Sequence, residues 1–460
     1  VMTMRHVFDD LFAACGTALD DHVTLVPDPV LARHWWPDGS ALDLFADAER
    51  SAGAIRAFAG PGEAEAFHRF SGRARQLFEA FDAPMMQAAT PRLGDLTARV
   101  LKAPALLPAL APHRTLAGAL SATFRDPRLR QLFGRYATYV GGSPFRVPAV
   151  LSLIWHAEAA GVWAVEGGMH RLAEAMAGVA EARGARLLYA THAAEIETDG
   201  ARATGVILSD GTRLPAGRVL FNGDPAALHA GRLGEAVRTA VPEPAVTPRS
   251  LSACVWSFAA RPAGPALSHH NVFFGDDPRA EFGPVDRGRL PEDPTLYVCA
   301  QDRGAGAAPE GAERFEIIMN APPGLPDTDK ERETCRIRTF ERLAGFGLTF
   351  EPEPAPAALT TPADFDRLFP ASRGSLYGRS PHGLMAPFRR PAARSAVPGL
   401  YLAGGGTHPG PGVPMATLSG RHAAAAILTD RTSTSTSRRT ATPGGTSTGS
   451  PTTAGGRSRS

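Results

Sequence analysis

Residues 398–427 read PGLYLAGGGTHPGPGVPMATLSGRHAAAAI, and this stretch decides how the rest of the chain is interpreted. A short apolar strand from Leu400 to Ala403 is predicted to run into three consecutive glycines, Gly404 to Gly406. Glycines after a strand let the backbone approach a bulky ligand closely, and no side chain shields their N–H groups. The pattern therefore predicts a ligand-binding turn.

A loop rich in glycine and proline, Thr407 to Gly412, leads from this turn into a helix. Pro414 suits the first helical position, where its missing N–H costs nothing. The positive end of that helix would face whatever lies in the loop. A buried strand–turn–helix without a ligand is the alternative interpretation, but it does not need the histidine and the prolines found here.

The string GGGTHPGPGVPMATLSGRHAA resembles the C-terminal FAD motif of the phytoene-desaturase-like flavoproteins, most closely the bacterial 1-hydroxycarotenoid 3,4-desaturases. Amine oxidases have an acidic residue after the first glycine of this motif, whereas the carotenoid branch has glycine, as here. The resemblance covers Met4 to Leu428 and implies that FAD is the cofactor. The residues that it implies for FAD binding are Gly404, Gly405, Gly406, Val413, Pro414 and Met415.

The resemblance also implies the fold, an α/β flavoprotein of mixed α+β character with two domains, of the phytoene desaturase and amine oxidase type. Its Rossmann-like FAD-binding domain is discontinuous and incomplete, and a mixed sheet with helices forms the substrate domain. The predicted segments are the helical first part of the substrate domain (1–150), the middle FAD-binding segment (151–230), the mixed β-sheet of the substrate domain (231–370), the C-terminal FAD-binding segment (371–429) and a disordered tail (430–460).

Periodicity within these segments agrees with an α/β chain. Alternating apolar residues in SLSACVWSFAA, TLYVCAQ and RFEIIMN predict strands at the floor of the substrate site. Residues 163–228 predict a strand, a helix, a second strand over 185–200 and a β-meander. By the resemblance, the backbone around Ala193 would meet the adenine of FAD.

Composition narrows the class of protein. The chain has 460 residues and a net charge of +2, so its charge gives no indication of a nucleic-acid partner. Its four cysteines lack CxxC spacing and histidines at metal spacing, which predicts no metal site and favours a reducing compartment. No apolar run reaches the roughly 18–20 residues that a membrane-spanning helix needs.

The start of the chain departs from the resembled family. Such FAD enzymes begin with a strand, a G-x-G-x-x-G turn and a helix that bind the pyrophosphate, and no such unit precedes Met4. The similar string at 304–308 lacks the third glycine, so we expect a surface loop there. A start codon assigned too late or a truncated chain would explain the departure better than evolutionary loss, and we expect this form to bind FAD weakly or not at all.

Two segments of the predicted substrate domain remain open to two interpretations each. Asp126 before Pro127 predicts a helix start, and DPRLRQLF…YVGGSPF resembles a marker of carotenoid desaturases. Asp126 and Arg130, one helical turn apart, are either a solvated ion pair or groups beside the substrate channel. Residues 93–120, apolar and broken by prolines, are either an ordinary helix pair or a membrane-facing lid.

The resembled reaction removes two hydrogens from C3 and C4 of a 1-hydroxylated acyclic carotenoid. Hydride loss beside a conjugated chain leaves a delocalised cation, so the flavin carries out the hard step while the protein positions the substrate and keeps the site dry. We therefore expect an apolar tunnel in which one polar group takes the proton or holds the 1-hydroxyl. The candidates are His408, Tyr136, Tyr139 and His382, and His408 has a structural loop hydrogen bond as its alternative.

The sequence thus predicts an FAD-dependent carotenoid 3,4-desaturase that lies peripherally on the cytoplasmic side of the cell membrane. Its predicted catalytic residues are His408, Asp126 and Arg130, and its predicted partners are a hydroxylated acyclic carotenoid and the membrane surface. The nearest alternative is a phytoene or other carotenoid desaturase, or an isomerase, with the same fold. A non-catalytic protein that binds an apolar ligand or a membrane is the alternative from another class.

Overall fold

The computed structural model describes residues 2–104, 106–304 and 308–439, with side chains as far as residue 431. Two sequence predictions fall partly outside this range. The string at 304–308 lies outside the described residues at 305–307, and the tail predicted over 430–460 lies outside them from residue 440.

Helices and strands alternate along the chain in the mixed arrangement that the sequence predicts. The strands are β1 Leu25–Pro27, β2 Val30–Trp35, β3 Ala41–Phe45, β4 Trp163–Val165, β5 Ala193–Thr198, β6 Ala203–Leu208, β7 Arg213–Pro215, β8 Val219–Phe221, β9 Ser252–Ala263, β10 His270–Phe273, β11 Leu296–Ala300, β12 Glu313–Ala321, β13 Thr349–Glu351, β14 Leu359–Thr360 and β15 Leu400–Leu402. The α-helices are α1 His6–Ala14, α2 Ala48–Ala59, α3 Pro61–Phe81, α4 Leu93–Lys102, α5 Leu106–Leu110, α6 Leu116–Thr123, α7 Pro127–Gly134, α8 Leu153–Ala159, α9 His170–Glu181, α10 Pro225–His229, α11 Pro278–Asp286, α12 Asp329–Gly345, α13 Pro362–Leu368 and α14 Val413–Arg439.

The largest sheet has eight strands in the order β13-β9-β12-β11-β10-β2-β3, with β14 also pairing β9. Neighbouring strands from β9 to β10 are antiparallel, whereas β10 and β2 are parallel. One face packs on α12 through a core that contains Trp256, Phe315 and Leu343. Helices from the first part of the chain form a second core around Phe67 and Trp155. This confirms the mixed sheet with helices that the sequence predicts.

A separate small sheet joins distant parts of the sequence. Strand β15, which precedes the glycines, pairs in parallel with β8, and Leu400 lies opposite Val219. A three-stranded antiparallel meander, β5-β6-β7, lies beside it, and Ala203 N donates to Pro398 O at 2.9 Å. Segments around 200–221 and 398–402 therefore build one unit, which is the discontinuous arrangement expected from the sequence.

The strand predicted over 185–200 forms only in its second half, as β5. Residues 185–191 are irregular, and the side chains of Leu188 and Tyr189 are 50% and 78% exposed. A strand persists only where another strand takes up its backbone hydrogen bonds. Within the described residues no strand pairs with this segment. Its apolar pattern alone is therefore not sufficient to form a strand.

The first residues of the chain pack away from the large sheet. Phe8 and Phe12 of α1 share a core with Leu172 of α9 and Leu418 of α14. The sequence assigns this part of the chain to the substrate domain, but its packing partners lie on the side of the glycine motif. Helix α14 continues to Arg439, so the tail boundary predicted at 430 falls inside a helix.

Within the part of the chain that the structure describes, no helix is both long enough and apolar enough to cross a bilayer.

Candidate active site

The three glycines after β15, Gly404–Gly406, form a turn, which we call the glycine turn. Gly404 has a φ of +105°, and its N–H donates to Ser419 Oγ of α14 at 2.6 Å. A Cβ at Gly404 would lie 2.7 Å from Asn222 Oδ1, and one at Gly406 would lie 2.6 Å from Pro225 Cδ. The packing of the protein itself therefore requires glycine at these two positions.

Gly405 differs from its neighbours because it faces open space. The nearest atom to a Cβ built there is Pro411 Cα at 3.8 Å, and a Cβ at Gly412 meets no described atom within 4 Å. The buried guanidinium of Arg390 donates to the carbonyl oxygens of Gly405 and Tyr377 at 3.1 and 2.8 Å. Burial lowers the pKa of Arg390 to about 10, so the group stays charged at neutral pH and holds the turn.

A cavity of about 760 Å³ opens beside the first residues of α14. Gly412, Val413 and Pro414 line it. Apolar side chains form much of the remaining wall: Phe145, Ile154, Val272, Phe274, Phe282 and Ile318. The cavity therefore brings the N-terminus of a long helix into contact with a largely apolar chamber, as the resemblance to carotenoid enzymes implies.

These residues fit the flavin end of FAD. Open space lies in front of Gly405 and Gly412, where a planar ring can contact bare backbone. The N-terminus of α14 favours negative charge in the loop. Of the other predicted contacts, Met415 is partly buried against the core of α1 and α9, and Ala193 is exposed at the start of β5. Their contacts with FAD stay predictions.

Strand β12 runs along the cavity from one end to the other. Glu316, Ile318 and Asn320 alternate along this strand and line the cavity, so Glu316 and Asn320 lie about 13 Å apart. Glu316 is close enough to Tyr377 to raise the pKa of that phenol, after burial, to about 12. Because Arg390 ties Tyr377 to Gly405, the Glu316 end is the end near the glycine turn.

At the opposite end lies a buried carboxyl group. Glu281 of α11 is only 3% exposed and accepts hydrogen bonds from Thr295 Oγ1 at 2.7 Å and Asn320 Nδ2 at 2.8 Å. Burial raises the pKa of Glu281 to about 7 against the effect of these two donors. The far end of the cavity therefore carries a carboxyl group that is close to half-protonated at neutral pH.

Polar side chains also lie on the cavity wall, and we call three of them, Arg135, Tyr139 and Glu158, the polar centre. Tyr139 Oη donates to Glu158 Oε2 at 2.8 Å, and Tyr136 Oη donates to Glu158 Oε1 at 2.7 Å. Arg135 and Glu158 are 8% and 5% exposed, with Nη2 and Oε1 3.5 Å apart. Burial raises the pKa of both tyrosines, so their hydroxyls are neutral hydrogen-bond donors.

A second polar group, Tyr297, His270, Asp28 and His269, reaches the cavity through Tyr297. Tyr297 Oη lies 2.7 Å from His270 Nδ1, and His269 Nδ1 lies 2.7 Å from Asp28 Oδ2. His270 Nε2 lies 3.6 Å from the same carboxylate oxygen. Burial opposes protonation of His269, but Asp28 and Cys299 raise its pKa to about 9. Burial and the neighbouring His269 hold the pKa of His270 well below its usual range.

Cys299 completes a cluster that the sequence did not predict. Because His270 and Cys299 are paired residues of β10 and β11, the possible ligand atoms of Cys299, His269 and His270 lie within 4.8 Å of one another. The two imidazole rings, however, stack with centroids 4.0 Å apart and an interplanar angle of 25°. Each ring also has a hydrogen-bond partner at Nδ1, since His269 Nδ1 lies 2.7 Å from Asp28 Oδ2 and His270 Nδ1 lies 2.7 Å from Tyr297 Oη. The cluster is therefore better suited to hydrogen bonding.

The two candidate histidines lie outside the cavity wall that the described residues form. His408 Nε2 lies 2.9 Å from Ala88 O, and His382 Nε2 lies 3.1 Å from Ser143 N, from which it accepts a hydrogen bond. Burial lowers the pKa of each ring to about 4, so both are neutral. Each ring joins two separate segments of the chain. The catalytic role of His408 stays a prediction that this position does not favour.

Asp126 and Arg130 do not form the solvated ion pair that was one of the two interpretations of their spacing. Asp126 caps α7 by accepting from Arg128 N at 2.8 Å, which confirms the helix start, and it pairs with the Arg128 guanidinium at 2.8 Å. Arg130 donates to Phe124 O at 2.7 Å and lines the cavity on the side of α7. Because the Asp126 carboxylate caps the helix, Arg130 bonds to the backbone of the preceding loop instead. Their catalytic roles stay predictions.

Sequence reasoning missed Glu158, Glu316 and Tyr297 as residues of the cavity. One signal was available, because Glu316 is a single acidic residue at a cavity-facing position of the apolar strand RFEIIMN. Glu158 gave no comparable signal, and His270 was open to two interpretations, a polar pocket residue or a turn residue at the start of a strand. Their partners are Tyr136, Tyr139 and Tyr297, and only the packing of α8 and of β10 against β11 brings these residues together.

Comparison with known proteins agrees with this geometry. Residues 11–428 match the family described as flavin containing amine oxidoreductase. The chain is 60% identical over 435 residues to a protein of Cereibacter sphaeroides named hydroxyneurosporene desaturase, covering 95% of this chain and 88% of that protein. A Rhodobacter capsulatus protein of the same name is 55% identical over 433 residues, which cover 94% of this chain and 88% of that protein.

Among solved structures, a triple mutant of putrescine oxidase is similar in fold, with a TM-score of 0.51 at 12% identity. This similarity covers 93% of this chain and 87% of that chain. At such low identity it supports the amine-oxidase type of fold alone.

Proposed function

The chain belongs to the flavin-containing amine oxidoreductase family, in its phytoene-desaturase-like branch of carotenoid desaturases, and we propose that it desaturates a 1-hydroxylated acyclic carotenoid at C3–C4. FAD is its cofactor and carotenoid desaturation is its reaction. The finer proposal concerns which carotenoid enters the site and which bond is oxidised. Its main support is the apolar cavity beside Gly412, Val413 and Pro414, which contains a polar centre.

The chain's own residues have three tasks in this reaction. FAD, when bound, supplies the acceptor for the hydride that leaves the substrate. The glycine turn and the start of α14 hold the flavin end through backbone groups. Phe274, Phe282 and Ile318 position the polyene and keep water out of the cavity.

The polar centre supports a hydroxylated substrate. In such a substrate the hydroxyl is on C1, two bonds from C3, so a group that binds it must lie near the reacting carbons. Tyr139 lines the cavity, and its hydroxyl is held by Glu158 and Arg135. A site that hydrogen-bonds a substrate hydroxyl can discriminate strongly against an analogue that lacks it, because its buried polar groups then lose a partner.

The test compares 1-hydroxyneurosporene with neurosporene, using FAD-loaded protein in detergent or lipid. We expect a product that is two hydrogens lighter and absorbs at longer wavelength, formed much faster from the hydroxylated substrate. Equal rates would instead support a carotenoid desaturase of broader specificity. An unchanged chromophore with both substrates, despite bound FAD, would contradict the proposal.

We also propose that the protein lies peripherally on the cytoplasmic side of the cell membrane, where its apolar substrate is dissolved. In its support, Leu93 and Leu101 on α4 and Leu107 on α5 are 52%, 74% and 53% exposed. Apolar side chains on short amphipathic helices can enter a lipid surface. Replacing all three by Ser should reduce sedimentation with liposomes, whereas Leu214→Ser and Leu368→Ser, at two other exposed leucines, should not.

A further inference from the structure

We propose that Tyr297, His270 and Asp28 form a proton relay that accepts the proton lost from the substrate during desaturation. This inference rests on the proposed function. It concerns the hydrogen that does not leave as hydride, and it assigns that hydrogen to residues outside the glycine motif.

The reaction must place two hydrogens in different locations. One C–H bond breaks with both electrons and releases a hydride, for which bound FAD would supply the acceptor. The neighbouring C–H bond then breaks and leaves its electron pair to form the new C=C bond, and its proton needs an acceptor. In the relay, Tyr297 Oη takes this proton while its own proton passes to His270 Nδ1, so charge and atoms balance.

Tyr297 is placed to receive the proton. Its side chain lines the cavity between Val272 of β10 and Ile318 of β12, in the middle of the large sheet. Its hydroxyl lies 2.7 Å from His270 Nδ1, within the distance over which a proton passes along a hydrogen bond. His270 is 2% exposed and lies behind Tyr297, away from the cavity wall.

His270 is oriented to pass charge toward Asp28. Its Nδ1 faces Tyr297, and its Nε2 is buried without a hydrogen-bond partner in the described part of the chain. That nitrogen lies 3.6 Å from Asp28 Oδ2, and Asp28 is 5% exposed. A histidine that receives a proton on one nitrogen is stabilised by a carboxylate near the other nitrogen. The carboxylate of a catalytic triad orients and stabilises its histidine base in the same way.

Burial and the surrounding charges keep His270 neutral before the reaction. Burial is the largest effect that lowers the pKa of His270, and the positive charges of His269, whose own pKa is raised to about 9, and of Arg135 act in the same direction. A neutral imidazole beside a tyrosine hydroxyl is free to accept a proton, and the neighbouring positive charges favour its later release.

Other polar groups on the cavity wall are less suited to this role. The Glu158 carboxylate already accepts from Tyr136 and Tyr139 and pairs with Arg135. Glu281 lies at the far end of the cavity from the glycine turn. Glu316 is the one serious rival, because it lines the cavity near Tyr377 and burial raises its pKa. The experiment therefore includes Glu316.

The test uses Tyr297→Phe in the FAD-loaded protein, with Glu316→Gln as the rival variant. Tyr401→Phe is the matched control, since that hydroxyl bonds to Asp430 at 2.8 Å outside the cavity wall. We expect Tyr297→Phe to lower kcat about 100-fold or more, with KM and the absorption shift of bound carotenoid unchanged. Substrates deuterated separately at C3 and C4 should show a larger isotope effect in this variant at the carbon that loses the proton.

A second readout does not depend on turnover. The ¹⁵N resonances of His270 should show an acceptor Nδ1 and a protonated Nε2 in the wild-type protein, and Tyr297→Phe should shift Nδ1. If Tyr297→Phe unfolds, Asp28→Asn replaces it and should show the same kcat loss. Wild-type rates in Tyr297→Phe, or a kcat loss confined to Glu316→Gln, would overturn the relay. A wild-type protein that is inactive despite bound FAD would instead contradict the proposed function.

Discussion

Tyr139 Oη lies 2.8 Å from Glu158 Oε2, and both residues line the cavity that also reaches Pro414. The bond joins the segment after α7 to α8 and fixes a hydroxyl inside a largely apolar chamber. Arg135 neutralises the carboxylate, so the pair is stable only as part of this buried network. The hydroxyl of Tyr139, which we propose to meet the hydroxyl of the substrate, is thus held in place by interactions that also connect the helices of this part of the protein.

Glu158→Gln should strongly destabilise the protein, because it leaves the buried guanidinium of Arg135 without a compensating charge. We expect a loss of about 3–5 kcal/mol in the free energy of unfolding, measured by urea denaturation. Glu79→Gln is the matched control, since Arg75 and Glu79 form a solvent-exposed pair whose loss should leave the free energy of unfolding almost unchanged. Equal effects of the two variants would contradict the buried network.

Gly404→Ala and Gly405→Ala should have different effects. At Gly404 the φ of +105° and the contact with Asn222 make a Cβ costly, and we expect a loss of about 1–2 kcal/mol in unfolding free energy. At Gly405 a Cβ enters open space, so the thermal midpoint should stay unchanged.

FAD affinity gives the second measurement for these two variants. If backbone at Gly405 contacts the flavin, Gly405→Ala should weaken FAD binding at least about tenfold, equivalent to about 1.4 kcal/mol, in a fluorescence titration. Unchanged FAD affinity in Gly405→Ala would show that the ring lies elsewhere.

Glu281 should make stability depend on pH. Its folded pKa of about 7 is raised above the ordinary 4.5, so the folded protein binds more protons between these values than the unfolded chain does. The contribution of Glu281 to the free energy of unfolding is fully present below pH 4.5. It falls by about 1.4 kcal/mol per pH unit as the pH rises to about 7. Subtracting the profile of Glu281→Gln from the wild-type profile in urea denaturation should reveal this slope. A difference that is flat from pH 4.5 to 7 would contradict a raised pKa.

His408→Ala tests whether the loop histidine is catalytic. Since its Nε2 bonds to Ala88 O, we expect a loss of about 0.5–1.5 kcal/mol in stability, with kcat per bound flavin close to the wild-type value. Replacement of the exposed His6 by Ala should change neither quantity. A kcat loss of about 100-fold in fully flavin-loaded His408→Ala would restore the role that the sequence suggested.

The sequence alone was sufficient for features that depend on neighbouring residues. The strand, the glycines and the helix start at Pro414 follow one another within a short stretch, and each has a local steric or hydrogen-bonding reason. The N-cap at Asp126 and the alternating strands β9 and β12 were predicted for the same reason. Residues 185–191 show the limit, because strand formation there needs a partner that is distant in sequence.

Only the tertiary structure decided which polar groups face the cavity. Asp28 meets His269 across 241 positions, Tyr297 meets His270 across 27, and Glu158 meets Tyr139 across 19. No local pattern encodes such contacts, since they arise when separate strands and helices bury their apolar faces together. The sequence therefore determined the glycine turn, whereas packing of the sheet against the helices determined the apolar cavity and the polar groups that line it.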